Sequence, residues 1–460
     1  MRKEKKWWRM VFLLIVFLFF LLVPKDTDLG WHLRYGQKIW QDGEIFRDNQ
    51  IGFFLTNYDW VHAYSGYQAL IYPIYKMFGF WGLAILGSLI MVMIFGILIK
   101  KFKTPILGWV VVMGFFTLMA WPVLAMGLRS QIFSLLGMNL LLWFLTGEKF
   151  MKKWWLYPLL MVFWVNLHGG FVLGLVIMGF FGVETWWRKK KINKVVLMGL
   201  SGFGTSLLNP FGGRIYEEVY RHSWYPLNEL IAEWVEPRGL SMLLVFLVIV
   251  LDGLVLLTSL AKNKKIFLEK NKIFLFLSLL FFAYLAFRAR RNLGFFGLVS
   301  VWWCFDLIKV KTKDHWWQNW LMVGLAVLMA VIVRQRWRGQ GNSLRLSGVE
   351  MYLEENKVCK NVYNTYERGG QLEWSLPQYK FFVDGRMPAW PTGEEKSPYT
   401  VYLEIIQARE GWSERVINYG ADCLFISKGT FLDLELREKG NPGWLLEFED
   451  EKEALYRKTN

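Results

Sequence analysis

Asp26-Thr27-Asp28-Leu29-Gly30-Trp31-His32 follows directly on the apolar run from Met10 to Val23, so two carboxylates and an imidazole stand where greasy sequence gives way to polar. A carboxylate that is partly desolvated yet still reaches water is a candidate general base, because burial disfavours its charged form. The plainer alternatives are a pair of solvated loop acids, or a helix cap ahead of Leu29–Trp40. Arg129 is flanked by two long apolar runs, where an ionised group is retained mainly when it has a partner such as carboxylate or phosphate. Arg288, Arg290 and Arg291 add three guanidiniums whose forks suit the non-bridging oxygens of a phosphodiester. Structural ion pairing is the alternative for this cluster.

Asn166-Leu167-His168-Gly169-Gly170 interrupts a long apolar hairpin with a short polar turn. A lone His168 there reads first as a packing residue. Yet four of the five histidines, His32, His62, His168 and His222, fall in segments assigned below to one side of a membrane. Asp26, Asp28 and His32 are candidate ligands for a divalent cation, Mg²⁺ or Mn²⁺ or else Zn²⁺, although no H-x-x-x-H spacing supports a metal. A second polar segment, 209–239, brings Asn209-Pro210, Glu217, Glu218 and Glu233-Trp234. Trp60, Trp121, Trp224 and Trp234 read either as interface-belt aromatics or as platforms for sugar rings and an isoprenoid tail.

These residues need a scaffold, and composition limits what it can be. The chain has 460 residues, 54% of them hydrophobic and 18% aromatic, in repeated apolar runs too greasy and too segmented for a soluble globule. An α-helical polytopic membrane protein is expected, with spans near 9–24, 80–99, 105–122, 128–146, 154–166, 170–187, 194–208, 240–260, 273–287, 292–308 and 318–334. Basic residues give these about eleven spans an orientation. The N-terminus and the loops Lys100–Lys103, Gly147–Lys153, Arg188–Lys194, Ala261–Lys272 and Lys309–Lys313 carry 24 Lys and Arg. The alternate segments carry 11 over much more sequence, which places the N-terminus in the cytoplasm and residues 335–460 outside. The positions after the first apolar run, Val23-Pro24-Lys25, lack an A-x-A-like cleavage site, so an uncleaved span is favoured over a signal peptide.

The net charge of +16 is uneven: residues 340–460 hold 15 Lys and Arg against 20 Asp and Glu, and the rest holds 39 against 18. Short basic loops between apolar runs are membrane topology and not a nucleic-acid face, so no nucleic-acid partner is expected. Cys304, Cys359 and Cys423 have no paired spacing, which removes thiolate metal sites and C-x-x-C chemistry. A bridge between Cys359 and Cys423 is left open but not favoured.

Two domains are expected: a transmembrane part, 1–339, with outer loops 24–66 and 209–239, and a small soluble extracytoplasmic α/β domain, 340–460, after a linker near Arg334–Leu346. In the first loop, Leu29–Trp40 reads as an amphipathic stretch at the interface. Tyr64–Phe78 either lies flat or extends the next span. The C-terminal domain should hold helices near 347–356, 399–408 and 413–419, and strands near 358–363, 380–384, 421–427 and 445–448. Gly369-Gly370 lacks a dinucleotide fingerprint. Asp384-Gly385-Arg386 ends a strand, as a turn or as a pair aimed at substrate.

Taken in order, Asp26-Thr27-Asp28, Trp31-His32-Leu33, Trp60-Val61-His62, Arg129-Ser130-Gln131-Ile132-Phe133, Asn166 to Gly170, Leu208-Asn209-Pro210, Glu233-Trp234, Arg288 to Arg291 and Phe382-Val383-Asp384-Gly385-Arg386 resemble the motifs of a large bacterial family of multispanning membrane proteins. That family is classed with the GT-C glycosyltransferases, alongside protein mannosyltransferases and lipid A aminoarabinose transferase. The resemblance covers nearly the whole chain. It implies a plasma-membrane enzyme, a polyprenyl-phosphate sugar donor, a glycan, lipid or protein acceptor on the outer face, and a loop-one acid as base. Members often carry an acid after Trp-Val where this chain has His62-Ala63-Tyr64. The resulting expectation is inverting transfer with Asp28, rather than Asp26, as base, and Arg129, Arg288, Arg290 and Arg291 on the donor phosphate. His32, Trp60, His62, Asn166, His168, Asn209, Glu233 and Trp234 would orient substrates. A lipid or polysaccharide transporter or flippase, or a non-catalytic scaffold, is the rival reading; transporters tend to bind near the midplane on repeated, broken helices, and no internal repeat is visible.

Overall fold

The computed structural model describes residues 7–147, 152–190, 192–224, 231–308, 316–339, 346–390, 396–438 and 443–459. The basic loop Lys309–Lys313, the middle of Gly147–Lys153, the basic residues before Trp7 and the linker residues 340–345 lie outside the described residues. The chain divides into two units. One is helical and comprises Met1–Pro24, Met77–Ile215 and Ile231–Gln340; the other is α/β and comprises Lys25–Lys76, Tyr216–Leu230 and Gly341–Asn460.

A helix underlies each apolar run: α1 (Trp7–Phe19), then, after α2 (Leu29–Asp42) of the α/β unit, α3 (Ser65–Lys101), α4 (Ile106–Leu124), α5 (Gln131–Leu145), α6 (Leu156–Leu167), α7 (Phe171–Trp187) and α8 (Ile192–Ser206). After α9 (Ile215–Trp224) come α10 (Leu240–Lys262), α11 (Lys272–Arg288), α12 (Leu293–Leu307) and α13 (Trp316–Gly339). Among the described residues four helices, Ser65–Lys101, Ile106–Leu124, Leu240–Lys262 and Trp320–Arg338, are long and apolar enough to cross a membrane. Others, such as α6 and α7, are apolar but shorter than the ~20 residues of a full crossing. Most of these helices are apolar on every side, the pattern of segments surrounded by lipid or other helices. Most of Tyr64–Phe78 is helical, from Ser65, but α3 is broken at Gly79, whose φ of 59° and ψ of −148° are non-helical and suit a residue without Cβ.

Some buried polar groups in the helical unit are paired across helices. Asn139 donates to Ile94 O at 3.0 Å and accepts from Trp302 Nε1 at 2.9 Å, and Asp252 accepts from Ser300 at 2.8 Å. Such bonds hold helices together where the hydrophobic effect between helix and lipid is weak. Glu184 of α7 accepts the backbone N–H groups of Asn271 (2.7 Å) and Phe274 (3.0 Å), so a carboxylate sits on the N-terminus of α11, satisfying orphan donors and favouring the dipole.

In the α/β unit the C-terminal residues form α14 (Gly348–Asn356), β1 (Asn361–Asn364), α15 (Gly369–Ser375), β2 (Lys380–Phe381), α16 (Pro398–Ile406), α17 (Trp412–Asn418), β3 (Cys423–Ser427), α18 (Phe431–Glu438), β4 (Trp444–Glu449) and β5 (Glu453–Lys458). Ser347 and Glu350 close a reciprocal capping box on α14. The sheet is mixed, in the order β2-β1-β3-β5-β4, with β1 parallel to β2 and β3, and β5 antiparallel to β3 and β4. Its side chains alternate between two cores. Val362, Phe381, Cys423, Phe425 and Leu455 pack on Val349, Leu353 and Leu372. Tyr363, Phe382, Leu424, Ile426 and Tyr456 face the other way, into a core that includes Trp31, Tyr35, Ile51, Phe54 and Trp60.

The first polar segment is therefore part of the α/β unit. Gly52 bridges Phe381, and the Phe53 N–H donates to Phe381 O at 3.1 Å, extending the β2 edge. Helix α2, expected at a membrane interface, buries Leu29, Trp31, Leu33 and Tyr35 in protein; aromatic and aliphatic residues at helical spacing suit either environment. Cys359 and Cys423 form a disulfide, contrary to the sequence expectation. Their separation of 64 residues carries no spacing signature, and adjacency arises only when the segment before β1 comes beside β3.

Candidate functional site

In the helical unit, five of the expected residues, Arg129, Glu233, Trp234, Arg290 and Arg291, are linked through one set of contacts. Arg129, between α4 and α5, pairs with Glu233. The segment 233–235 runs against the turn after α11: Arg290 N–H donates to Val235 O and Arg291 N–H to Glu233 O, both at 3.1 Å. The Arg291 guanidinium lies 4.3 Å from the centre of the Trp234 ring, a cation–π distance. Gln131 Nε2 donates to Arg291 O at 3.0 Å. Arg290 Nε is buried and meets no acceptor among the described residues, a state that costs free energy unless a ligand or water supplies one. Arg288 is exposed at the end of α11 and stands apart from these contacts.

His168 occupies the turn between α6 and α7. Its Nδ1 accepts from Gly170 N–H at 3.0 Å and lies 2.7 Å from Ser134 Oγ, which itself accepts from Trp164 Nε1 at 2.7 Å. With Nδ1 accepting, the neutral ring carries its proton on Nε2 and presents a donor. Burial, and after it the charges of Arg291 and Arg129, hold this imidazole well below the usual histidine range, so it is a neutral hydrogen-bond donor beside two guanidiniums. The glycine at 170 is required by space, since a Cβ there would fall 2.4 Å from Ser134 Oγ. Ser134 was not singled out in the sequence, although it lies three residues after Gln131 and so on the same helical face.

Asn166 donates to Val162 O and Leu208 O at 2.8 and 2.9 Å, and Asn209 braces its own turn by donating to Ser206 O and Gly212 O. Both amides thus shape the loops that flank His168. A shallow apolar crevice lined by Phe20, Leu22, Ala84, Met91, Leu128 and Ile132 among others lies next to Arg129 in sequence through Leu128.

The α/β unit holds the loop-one residues. Asp28 precedes α2 but makes no side-chain cap; its Oδ1 accepts from Trp31 Nε1 at 3.1 Å, which removes the capping alternative. Asp26 Oδ1 lies 3.4 Å from Asp28 N–H. Tyr366 sits close to Asp28, and burial followed by that negative charge pushes its phenol up. His32 and His62 are buried among aromatics: His32 is edge-on to Tyr64 and Tyr67, and His62 stacks on Trp60 at 4.1 Å. Burial drives His62 down to about 3, opposed in part by a hydrogen bond with the Phe46 backbone. Trp60 is only 3% exposed and is a core residue. His222 pairs with Glu218 at 3.0 Å; the side chain of Trp224 lies outside the described residues.

Asp384-Gly385-Arg386 is a buried network. Arg386 donates to both carboxylate oxygens of Asp384, to Tyr35 OH (2.6 Å), Asn49 Oδ1 (3.0 Å) and Glu373 Oε1 (3.0 Å), within reach of the Tyr35, Trp60 and Trp390 rings. As for a metal, the one trio of His, Cys, Asp or Glu among the described residues with donor atoms within 4.8 Å is Cys359, Asp422 and Cys423, which contains the disulfide. Asp26, Asp28 and His32 do not form such a trio.

No protein-family model matches the chain, and no curated protein sequence matches it. Among solved structures, an archaeal oligosaccharyltransferase, AglB from Archaeoglobus fulgidus, determined with an inhibitory peptide and a dolichol-phosphate, is similar over 95% of this chain and 70% of its own, with a TM-score of 0.53 and 10% identity. At that identity the likeness is one of fold. In this chain that fold is an architecture of apolar helices with a small mixed sheet.

Proposed function

We propose that this GT-C-like protein is a membrane glycosyltransferase that moves a sugar from a polyprenyl-phosphate donor to an acceptor, a glycan, lipid or protein, on the extracytoplasmic side of a bacterial plasma membrane. The observation that carries the reading is the linked set of Arg129, Arg290, Arg291 and neutral His168, with a buried Arg290 Nε–H that lacks an acceptor among the described residues. Such donors suit phosphate oxygens, and they act where charge grows as the glycosidic bond breaks. The dolichol-phosphate held by AglB is the same class of lipid as the proposed donor.

In the proposed step the acceptor hydroxyl oxygen attacks the anomeric carbon from the face opposite the phosphate. The carbon–oxygen bond to phosphate breaks, its electron pair leaves with the polyprenyl phosphate, and Asp28 takes the hydroxyl proton, so configuration inverts. The disulfide favours the extracytoplasmic assignment of the α/β unit, because such bonds persist in oxidising compartments.

Protein purified in detergent and given a polyprenyl-phosphate sugar should release free polyprenyl phosphate. Donor binding without release would replace the enzyme by a transporter or scaffold. Asp28→Asn should lower turnover by about 10²–10⁴-fold with little change in donor affinity. Normal turnover in both Asp26→Asn and Asp28→Asn would remove this stretch from the chemistry, and equal loss in both, reversed by excess Mn²⁺ or Mg²⁺, would favour metal coordination. For the topology, a cysteine placed at the exposed Glu451 should react with a membrane-impermeant maleimide in intact cells; labelling only after lysis would overturn the outward assignment.

A further inference from the structure

We infer that the Asp384-Gly385-Arg386 turn is a positioning element for the Asp28 carboxylate, with Gly385 as the surface against which that carboxylate is set; this rests on the reading of Asp28 as base. A Cβ at Gly385 would fall 1.7 Å from Asp28 Oδ1 and 2.8 Å from its carboxyl carbon. The backbone around Asp28 is confined in the same way, since a Cβ at Gly370 would lie 2.3 Å from Thr27 O and one at Gly30 1.8 Å from Gly370 O. Contacts under about 3 Å do not occur between real Cβ atoms and their neighbours, so Gly30 and Gly370 mark places where two backbones close without a spacer, and Gly385 one where backbone meets the Asp28 carboxylate.

The surface that meets Asp28 is itself fixed. Asp384 Oδ1 accepts both the backbone N–H and Nε of Arg386 at 2.8 Å, and Asp384 O accepts from Met387 N–H at 3.2 Å. Arg386 reaches on to Tyr35 OH and Asn49 Oδ1, so the turn is anchored to the same first-loop segment that carries Asp28. From the other side, Trp31 Nε1 donates to Asp28 Oδ1, and the Trp31 ring stands edge-on to Trp60 at 5.6 Å. A base works at full rate only when its acceptor orbital is aimed before reaction, and a misplacement of about 1 Å can cost on the order of 10²-fold. Side chains that make no contact with substrate thereby set the rate.

Gly385 does not have a positive φ, so alanine is acceptable to the backbone and its obstacle is the carboxylate. Gly385→Ala should lower turnover about 10²-fold while donor affinity holds, and the double variant Gly385→Ala/Asp28→Asn should be no slower than Asp28→Asn alone. Losses that multiply, or wild-type turnover in Gly385→Ala, would overturn the inference. A second cycle needs no activity: Gly385→Ala should lower the Tm of the α/β unit, and adding Asp28→Ala, which removes the clashing group, should restore most of it. A Tm that is not restored also overturns the inference. If the wild type releases no polyprenyl phosphate yet the Tm is restored, the catalytic reading fails and the contact stands. Should Gly385→Ala not fold, Trp31→Phe deletes only the indole donor; it should cut kcat about 10-fold with KM unchanged, and an unchanged kcat would count against positioning.

Discussion

Arg129 and Arg386 are both paired with carboxylates, but their surroundings give them opposite uses. The Arg386 side chain is 0% exposed, and its donors go to Asp384, Tyr35, Asn49 and Glu373 inside one protein core. Arg129 keeps 14% exposure and its partner Glu233 26%. A buried guanidinium with every direction filled cannot accept a ligand without breaking the core, whereas a partly exposed pair can exchange one oxygen for another. One motif arginine therefore builds, and the other is available to bind.

The sharpest way to break this contrast is Arg386→Ala. Removing the cation leaves Asp384 buried and uncompensated, which should destabilise the α/β unit by about 3–5 kcal/mol, read as lost or strongly lowered melting of that unit; Arg129→Ala should hardly move it. Equal melting in the two variants would erase the distinction. Replacing Cys359 and Cys423 together by Ser should follow closely, at about 4 kcal/mol for a closed loop of this length, again confined to the α/β unit. On the binding side, Arg129→Ala should weaken the lipid-phosphate donor by roughly 1.5–3 kcal/mol in a titration, with Arg129→Lys recovering part of it because only the fork is lost. Unchanged affinity would take Arg129 out of the phosphate role.

The smallest effect concerns pH. His62 is held neutral by burial, with a folded pKa of about 3 against 6.5. Its folded pKa lies below its unfolded one, so the unfolded chain binds the extra proton first. The stability it supports is complete above about pH 6.5 and is lost progressively as pH falls toward 3. Between pH 7 and 5.5 the α/β unit should lose about 1 kcal/mol from this source, and His62→Gln should show a correspondingly flatter melting profile over that window.

Much of this was legible in the sequence because apolar runs and turn residues report locally. Each expected span lies on a helix, the strand at 423–427 falls within the run that announced it, and that at 361–364 overlaps its run and ends one residue later. Arg129, His168, Glu233, Trp234, Arg290 and Arg291 were recognisable because charged and polar groups are costly among apolar residues and so stand out. Helices α15 and α18 and strand β5 were not anticipated. Gly369-Gly370 opens α15 against helix propensity, and β5, Glu-Ala-Leu-Tyr-Arg-Lys, is half polar. Neither the disulfide nor the fit of Asp28 against Gly385 could be read, since each depends on residues far apart in sequence.

The strand-like addition of Gly52 and Phe53 to the β2 edge also sets an order of events in biosynthesis. The first loop leaves the ribosome roughly 300 residues before its partner at Phe381, a delay of roughly 15–60 s at about 5–20 residues per second. Throughout that interval Ile51, Phe54 and Trp60 have no sheet to cover them, and a run of aromatic sequence waits unpaired while the membrane helices are being made. Such a segment needs shelter, from a holding chaperone or from the lipid surface. Completion of the sheet is thus a late checkpoint: a chain that stops before β1 loses the C-terminal strands and, with them, the core into which its own first loop must fold.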